Sequence, residues 1–260
     1  MCIVIIKKSG VNAPNQNILN NCFDNNSDGA GVMYLNNGQV QIDKGYMTKK
    51  AFTKRLKKLA FNRDDTVIYH FRLATHGATK AGQTHPFPVS EIDKDLLNTR
   101  IETGIAMAHN GILSAMQSDK ILSDTMMYIK HIVSPIKDMI FDKSMSKLLS
   151  KSSVGSRLVF LNGKGNILTT GEWITDNGLF YSNNGYKELK YLGYSDSTVS
   201  INDDFNWNKD EKIEYTDCVQ CPSCENISYS ESEGHCYECY HERFDNYKDE
   251  DDFYNGLQGY

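Results

Sequence analysis

Short apolar runs recur along the first two thirds of the chain, and polar turns separate them. The run CIVII at residues 2–6 predicts a buried strand, and TVIYHF at 66–71 predicts a second one. Two extended runs flank NNG at 36–38, which indicates a hairpin turn. IAMAHNGIL at 105–113 predicts a short strand ending in a turn, and residues 156–183 predict consecutive strands joined by Gly/Asn turns.

Helical periodicity appears in two places between these strands. Thr48 is a suitable N-cap for a helix over 49–61, whose apolar residues form one stripe while its lysines lie on the other side. That basic side is typical of a solvated helix face, with a nucleic-acid patch as the alternative. Two more helices are predicted within 118–150, the second with Ser134 as cap and Pro135 at its first position.

The order of these elements indicates the fold class. Strands come first, helices occupy the middle and strands return, which predicts an α+β domain of antiparallel sheets covered by helices. Strand and helix do not alternate as in doubly wound folds, and neither G-x-x-x-x-G-K-[ST] nor a G-x-G-x-x-G after a strand occurs. Nucleotide binding therefore has no support in the sequence.

Composition limits the size and the compartment of the protein. The 260 residues, of which 40% are hydrophobic, suffice for one sizeable core and a small appendage. The apolar runs are much shorter than the roughly 18 residues that span a bilayer, and the start lacks the pattern of a secretory signal. We expect a cytoplasmic protein with reduced thiols and no membrane association.

Charge and cysteine content both divide the chain. Residues 1–195 contain 24 Lys and Arg against 16 Asp and Glu, whereas residues 196–260 contain 4 against 17. Two of the seven cysteines lie near the start, and five cluster near the end. We therefore expect a large folded domain over 1–195, an acidic linker over 196–216, and a small cysteine-rich module with an acidic tail over 217–260.

Cys2 is the first candidate for chemistry. Removal of Met1 leaves a thiol and a free α-amine on the same residue, so that a nucleophile and its base come together. The amine has a reference pKa of about 7.7 to 8.0, so a fair fraction is neutral at physiological pH. The alternative is that Cys2 is only a small apolar residue at the start of a strand.

Three further segments offer groups that an amide hydrolase needs. Asn110 and Gly111 follow a predicted strand, and an amide beside a Gly N–H can stabilise an oxyanion; the alternative is an ordinary hairpin turn. Arg72 ends the strand TVIYHF and can bind a carboxylate, or it is a surface residue. Asp124 precedes an apolar helix and is either a helix N-terminal charge or a partner for an ammonium group.

Taken in order, MC at the start, RLATHG at 72–77, THPF at 84–87, AHNGIL at 108–113 and LSDT at 122–125 resemble the motifs of class II glutamine amidotransferase domains. These domains are N-terminal nucleophile hydrolases. The resemblance covers roughly residues 2–195 and implies an αββα four-layer sandwich of antiparallel sheets.

The resemblance also implies a mechanism and a role for each site residue. Cys2 attacks the side-chain amide of glutamine, with its own α-amine carrying the proton and no catalytic cofactor, while Asn110 and Gly111 hold the oxyanion. Arg72 binds the substrate α-carboxylate, and Asp124 binds its α-ammonium. Three residues help to build the pocket: Thr75, His76 and Gly77. Leu73 occupies a position at which many members of the family have an aromatic residue. This difference concerns the closure of the loop over the pocket.

A second site is predicted from the cysteines near the end. Cys221 and Cys224 form one C-x-x-C pair, and Cys236 and Cys239 form another after an 11-residue gap. Such pairs suit a structural Zn²⁺ site of the zinc-ribbon type, in a segment too short to fold by apolar burial alone. Three other residues could replace one of these zinc ligands: Cys218, His235 and His241. The site either only stabilises the tail or forms a docking module; the acidic surroundings argue against nucleic acid and favour docking to a protein or to the basic face of the first domain.

These observations lead to one main functional hypothesis and two alternatives. We expect a glutamine-hydrolysing subunit that releases ammonia for an acceptor site on a partner protein, since no synthase motif such as S-G-G-x-D-S is present. The alternatives are an amidase acting on another γ-glutamyl compound, and a catalytically inactive, zinc-stabilised binding or regulatory protein.

Overall fold

A computed structural model describes residues 1–74, 80–113, 116, 118 and 121–188, together with two short strands near the end of the chain. The chain forms two compact units, Met1–Gly193 and Tyr194–Tyr260, and each is described by itself. None of the described helices is both long enough and apolar enough to cross a bilayer.

The first unit contains eleven described strands and five described α-helices. The strands are β1 (Ile3–Lys7), β2 (Ala30–Asn36), β3 (Gln39–Tyr46), β4 (Val67–Phe71), β5 (Phe87–Pro88), β6 (Arg100–Thr103), β7 (Ile105–Asn110), β8 (Arg157–Asn162), β9 (Ile167–Thr169), β10 (Ile174–Asp176) and β11 (Leu179–Tyr181). The helices are α1 (Gln16–Asn25), α2 (Lys49–Leu59), α3 (Asp93–Leu97), α4 (Asp124–Tyr128) and α5 (Lys143–Ser152).

The strands form two sheets in which every described pairing is antiparallel. One sheet has seven strands in the order β10-β11-β1-β4-β2-β3-β6, and the other has four in the order β5-β7-β8-β9. Strands and helices together confirm the predicted α+β class with antiparallel sheets.

Three apolar clusters account for the packing of the sheets. Alternate residues of β1 belong to different clusters: Ile3 and Ile5 pack with α1 and α2, whereas Val4 and Ile6 pack with residues of β7 and β8. The third cluster joins the other face of the four-stranded sheet to α3, α4 and α5. Because helices or a second sheet cover both faces of β1, all five of its residues are buried.

Local signals explain several element boundaries. The Thr48 hydroxyl accepts a hydrogen bond from the Ala51 N–H and begins α2, as predicted. The NNG hairpin is also confirmed, because Asn37 and Gly38 have φ of 50° and 75° between β2 and β3.

The predicted helix start at Ser134 is wrong. A π-helical turn over Ile129–Val133 continues α4, and a 3-10 helix over Ser134–Met139 follows it without a break. Ser134 has helical dihedral angles, with φ of −61° and ψ of −42°, so it lies inside the helical segment and does not cap it. Pro135 is tolerated there because the missing N–H falls in the first turn of the 3-10 helix.

The second unit contains a described two-stranded antiparallel sheet formed by β12 (Cys218–Gln220) and β13 (Ile227–Tyr229). The four predicted zinc ligands lie outside the described residues: Cys221, Cys224, Cys236 and Cys239.

Candidate active site

One end of the central strands of the seven-stranded sheet brings together residues that lie far apart in the sequence. Strands β1 and β4 are antiparallel with Ile3 opposite Phe71, so Cys2 and Arg72 lie at the same end of the pair. Strand β2 begins opposite Phe71 as well, which brings the preceding Asp28 to this end of the strands. The Cys2 Sγ donates to the Leu73 carbonyl oxygen at 3.6 Å.

The buried Asn26 and the partly buried Asn183 bind the backbone carbonyl groups of Met1 and Cys2. The Asn183 Nδ2 donates to the Cys2 carbonyl oxygen at 2.7 Å, and its Oδ1 accepts from the Gly185 N–H at 2.9 Å. The Asn26 Nδ2 donates to the Met1 carbonyl oxygen at 2.8 Å. Met1 itself is 64% exposed. The start of the chain is therefore held in place, while the Met1 side chain remains exposed.

Burial raises the pKa of the Cys2 thiol, and the positive charges of the Met1 amine and of Arg72 oppose that effect. Because removal from water disfavours the thiolate, the sulfur is held mainly as a thiol. A nucleophilic attack by this sulfur consequently requires a group that accepts its proton.

Arg72 is buried at 6% exposure, and its backbone is held on both sides. Its N–H donates to the Gly29 carbonyl oxygen at 2.8 Å, and its own carbonyl oxygen accepts from the Asp28 N–H at 3.1 Å. Burial lowers the pKa of Arg72, and the charges of Cys2, Asp28 and Asp124 raise it. The guanidinium therefore lies within electrostatic reach of both the thiol and the Asp124 carboxylate.

Asn110 ends β7 and is fully buried. Its Nδ2 donates to the Ser182 Oγ at 3.0 Å, and the same Oγ accepts from the Val4 N–H at 2.9 Å. This hydroxyl links the end of β7 in one sheet to β1 in the other, two residues from Cys2.

The residue after Asn110 has to be glycine. Gly111 has a φ of +147°, and a Cβ there would approach the Ser156 Oγ to 2.3 Å and its Cα to 2.8 Å. The backbone of the Asn110–Gly111 turn can reach this position only without a side chain.

Asp124 begins α4 next to Ser123, whose hydroxyl accepts from the Met126 N–H at 3.3 Å. The Asp124 Oδ2 accepts from the Leu113 N–H at 3.2 Å, and its Oδ1 accepts from the Thr125 N–H at 2.7 Å. The carboxylate thus ties the segment that follows Gly111 to the helix. Each carboxylate oxygen has further lone-pair capacity for an ammonium group.

Three buried histidines, His70, His85 and His109, lie close together beside Asn110. The rings of His70 and His85 stack at 4.2 Å, and the centroids of His85 and His109 are 6.2 Å apart. Burial lowers the pKa of His70 to about 3 and that of His109 to about 4. The His109 ring nitrogens lie 2.9 Å from the Thr125 Oγ1 and 3.0 Å from the Ser156 Oγ, so both are engaged away from the thiol.

The described residues therefore bring five predicted site residues to one region: Cys2, Arg72, Asn110, Gly111 and Asp124. The predicted pocket residues Thr75, His76 and Gly77 lie outside the described part of the chain. Sequence reasoning missed Asn26, Asp28, Ser182 and Asn183. Ser182 and Asn183 stand at the end of the strand segment GLFYSN, where they have the composition of an ordinary turn.

Comparison with known proteins gives no match, either to the models of protein families or to curated protein sequences.

Proposed function

We propose that this protein is a glutamine-hydrolysing amidotransferase subunit that uses Cys2 as its nucleophile after removal of Met1. One observation carries the proposal: Cys2 and Arg72 lie at the same end of the paired strands β1 and β4, and the Arg72 guanidinium interacts electrostatically with both the Cys2 thiol and the Asp124 carboxylate. A free α-amino acid has a carboxylate and an ammonium on the same carbon, so this pair of opposite charges suits its recognition.

The chemistry follows from the groups that the chain supplies. The Cys2 sulfur adds to the side-chain carbonyl carbon of glutamine, and its proton passes to the α-amine and then to the departing nitrogen. The tetrahedral oxygen takes hydrogen bonds from the Asn110 amide and the Gly111 N–H. Ammonia leaves, and water then hydrolyses the γ-glutamyl thioester to glutamate and regenerates the thiol.

The raised pKa of the Cys2 thiol and the hydrogen bonds that engage both His109 ring nitrogens favour the α-amine as the base. A neutral amine on the same residue can take the thiol proton without any imidazole. The Asn183 side chain supports this role, because it holds the carbonyl oxygen of Cys2, the residue to which both sulfur and amine are attached.

The direct test is ammonia release from glutamine by the purified chain and by Cys2→Ala. We expect the wild type to release ammonia and glutamate in equal amounts and Cys2→Ala to release none. Cys22→Ala is the matched control, since Cys22 is the other free thiol among the described residues and is buried on the core-facing side of α1. It should retain turnover at some loss of stability.

Two further measurements separate the proposal from its alternatives. Turnover of γ-glutamyl dipeptides with poor activity on glutamine would indicate an amidase of different specificity. Intact mass is the second measurement: a retained Met1 together with no turnover of any γ-glutamyl compound would leave a binding or regulatory protein. Ammonia release by Cys2→Ala at the wild-type rate would refute the assignment of the nucleophile.

We further propose that the first unit has the αββα sandwich of N-terminal nucleophile hydrolases. The two antiparallel sheets and the three apolar clusters support this. The released ammonia would serve an acceptor site on a partner protein, because the chain contains no synthase motif. Co-purification of the native protein should identify a synthase that takes up nitrogen from glutamine only when this chain is present.

The zinc module is a separate proposal that rests on the spacing of the cysteines. Cys221, Cys224, Cys236 and Cys239 would hold one structural Zn²⁺ in tetrahedral thiolate coordination. Metal analysis of protein purified without chelator should give one zinc per chain, and Cys236→Ser with Cys239→Ser should remove it. A preparation that contains no zinc would contradict the proposal, whereas Cys22→Ser should leave the zinc content unchanged.

A further inference from the structure

Ser182 connects the two groups on which the proposed chemistry depends. It follows β11, is fully buried, and pairs with β1 through its own N–H, which donates to the Val4 carbonyl oxygen at 3.0 Å. Its Oγ accepts from the Val4 N–H at 2.9 Å and from the Asn110 Nδ2 at 3.0 Å. Neither contact is local, since 178 and 72 residues separate the partners along the chain.

With the Asn110 amide in this orientation, some hydrogen-bonding groups around Ser182 have no partner. The Ser182 Oγ receives two donors, and its own proton has no acceptor among the described residues. The Asn110 Oδ1 is also buried without a hydrogen-bond partner in the described part of the chain. One donor and one acceptor therefore stand unused beside each other, which buried polar groups rarely do.

An asparagine amide turned by 180° fills the same space and exchanges its donor and acceptor ends. In the turned orientation the Ser182 hydroxyl donates to the Asn110 Oδ1, and the two unused groups satisfy each other. The Nδ2, with its two hydrogens, then occupies the position that the Oδ1 had. The Val4 N–H keeps one lone pair of Ser182 engaged, so the hydroxyl proton remains available for this bond.

We propose that Ser182 is a positioning residue that orients the Asn110 amide so that its NH₂ group faces the reacting carbonyl. This inference rests on the function proposed above. It adds that the Ser182 hydroxyl orients the Asn110 NH₂ group, which is the proposed oxyanion donor. A Ser182 hydroxyl bonded to Oδ1 prevents the carbonyl end of the amide from meeting the developing negative charge. The neighbouring Asn183 holds the Cys2 carbonyl oxygen, so consecutive residues position the donor and the nucleophile.

Kinetics of Ser182→Ala and Ser182→Thr test the role. We expect Ser182→Ala to lower kcat for glutamine by about 10- to 100-fold with KM nearly unchanged, because an oxyanion donor acts mainly in the transition state. Ser182→Thr keeps the hydroxyl and should retain most of the rate. Asn110→Ala should lower kcat at least as far, and adding Ser182→Ala to it should have little further effect.

Independent losses in the double variant, or a raised KM with an unchanged kcat, would overturn the positioning role. The orientation is also measured without any activity, by neutron diffraction from deuterated wild-type crystals. We expect two deuterons on the Asn110 atom that faces away from Ser182. Deuterons on the atom that faces Ser182 would refute the inference, and this measurement decides it even if Ser182→Ala does not fold. A wild type that forms no ammonia but has the expected deuterons would refute the proposed function alone.

Discussion

At the scale of single residues, the site combines a thiol that resists ionisation with a buried cation beside it. Burial raises the pKa of Cys2 although Arg72 and the amine of Met1 favour the thiolate. A sulfur in this setting is protected from unspecific reactions with electrophiles, because the thiolate is the reactive form. The proposed removal of Met1 would put the amine on Cys2 itself, closer to the sulfur and able to accept its proton.

A substitution at Asp124 can separate the effect of its negative charge on substrate binding from the structural role of its carboxylate. Asp124→Asn keeps an oxygen acceptor for a backbone N–H but removes the negative charge. We expect KM for glutamine to rise by about 10- to 100-fold, since a hydrogen bond to a charged group is worth roughly 1.5–3 kcal/mol. Steady-state kinetics give KM, and thermal unfolding should show a modest loss of stability, because one of the two backbone N–H groups loses its acceptor.

Asp95→Asn is a suitable control, because Asp95 lies in α3 and accepts a hydrogen bond from the Ser90 hydroxyl instead. It should leave KM unchanged. An unaltered KM in Asp124→Asn would mean that the carboxylate only ties the Leu113 segment to α4, and the substrate ammonium would then need another partner.

Predictability differs among the residues of the site. Cys2, Arg72, Asn110 and Asp124 each stand in a short motif whose residue types suggest their chemistry. Ser182 has no such motif, since its role depends on partners 178 and 72 residues away that only the pairing of β1 with β11 and the approach of β7 bring near. A local pattern contains no information about such a contact.

At the scale of elements, periodicity predicts the helices that have a clear apolar stripe and misses those that depend on packing. The apolar stripe and the Thr48 cap predict helix α2. No such pattern predicts helix α1, because its sequence QNILNNCFDN is rich in asparagine, which favours turns. Its Asn15 caps the first turn, and Cys22 and Phe23 bury against the seven-stranded sheet, so tertiary packing overrides the weak propensity.

The cap of α2 gives an element-scale prediction. Thr48→Ala removes the hydroxyl that accepts from the Ala51 N–H, and we expect a loss of about 1 kcal/mol in the free energy of unfolding. Thr48→Ser keeps an acceptor and should lose much less. Urea denaturation measures both variants. Glutamine turnover should stay at the wild-type level in each, because α2 packs on the face of the sheet opposite β7 and Asn110.

At the scale of the whole molecule, the histidines make stability depend on pH. His70 and His109 have pKa values lowered by burial to about 3 and about 4, and burial lowers the pKa of His85 well below its ordinary value. The positive charges of Lys44 and Arg72 act in the same direction on His70 and His85. The folded protein therefore holds all three rings neutral at a pH where the unfolded chain binds protons.

The sign of the effect follows from this difference in proton uptake. A histidine with an ordinary pKa of 6.5 in the unfolded chain takes up a proton below that pH, whereas the folded chain takes it up only near pH 3 to 4. The stabilisation is complete above about pH 6.5 and is lost as the pH falls. Each ring contributes a slope of up to about 1.4 kcal/mol per pH unit. Urea unfolding at pH 7.5, 6.0 and 5.0 should give a free energy of unfolding that decreases at each step.

Substitution of one ring tests whether the buried histidines cause this slope. His85→Met removes one ionisable group from the stack at similar volume, so the loss of free energy between pH 6.0 and 5.0 should decrease by about one third. His131→Gln is the matched control, because His131 is exposed to water in the folded chain. The same slope in His85→Met and in the wild type would assign the acid sensitivity to other groups, and an altered slope in His131→Gln would show that the effect is not specific to the interior.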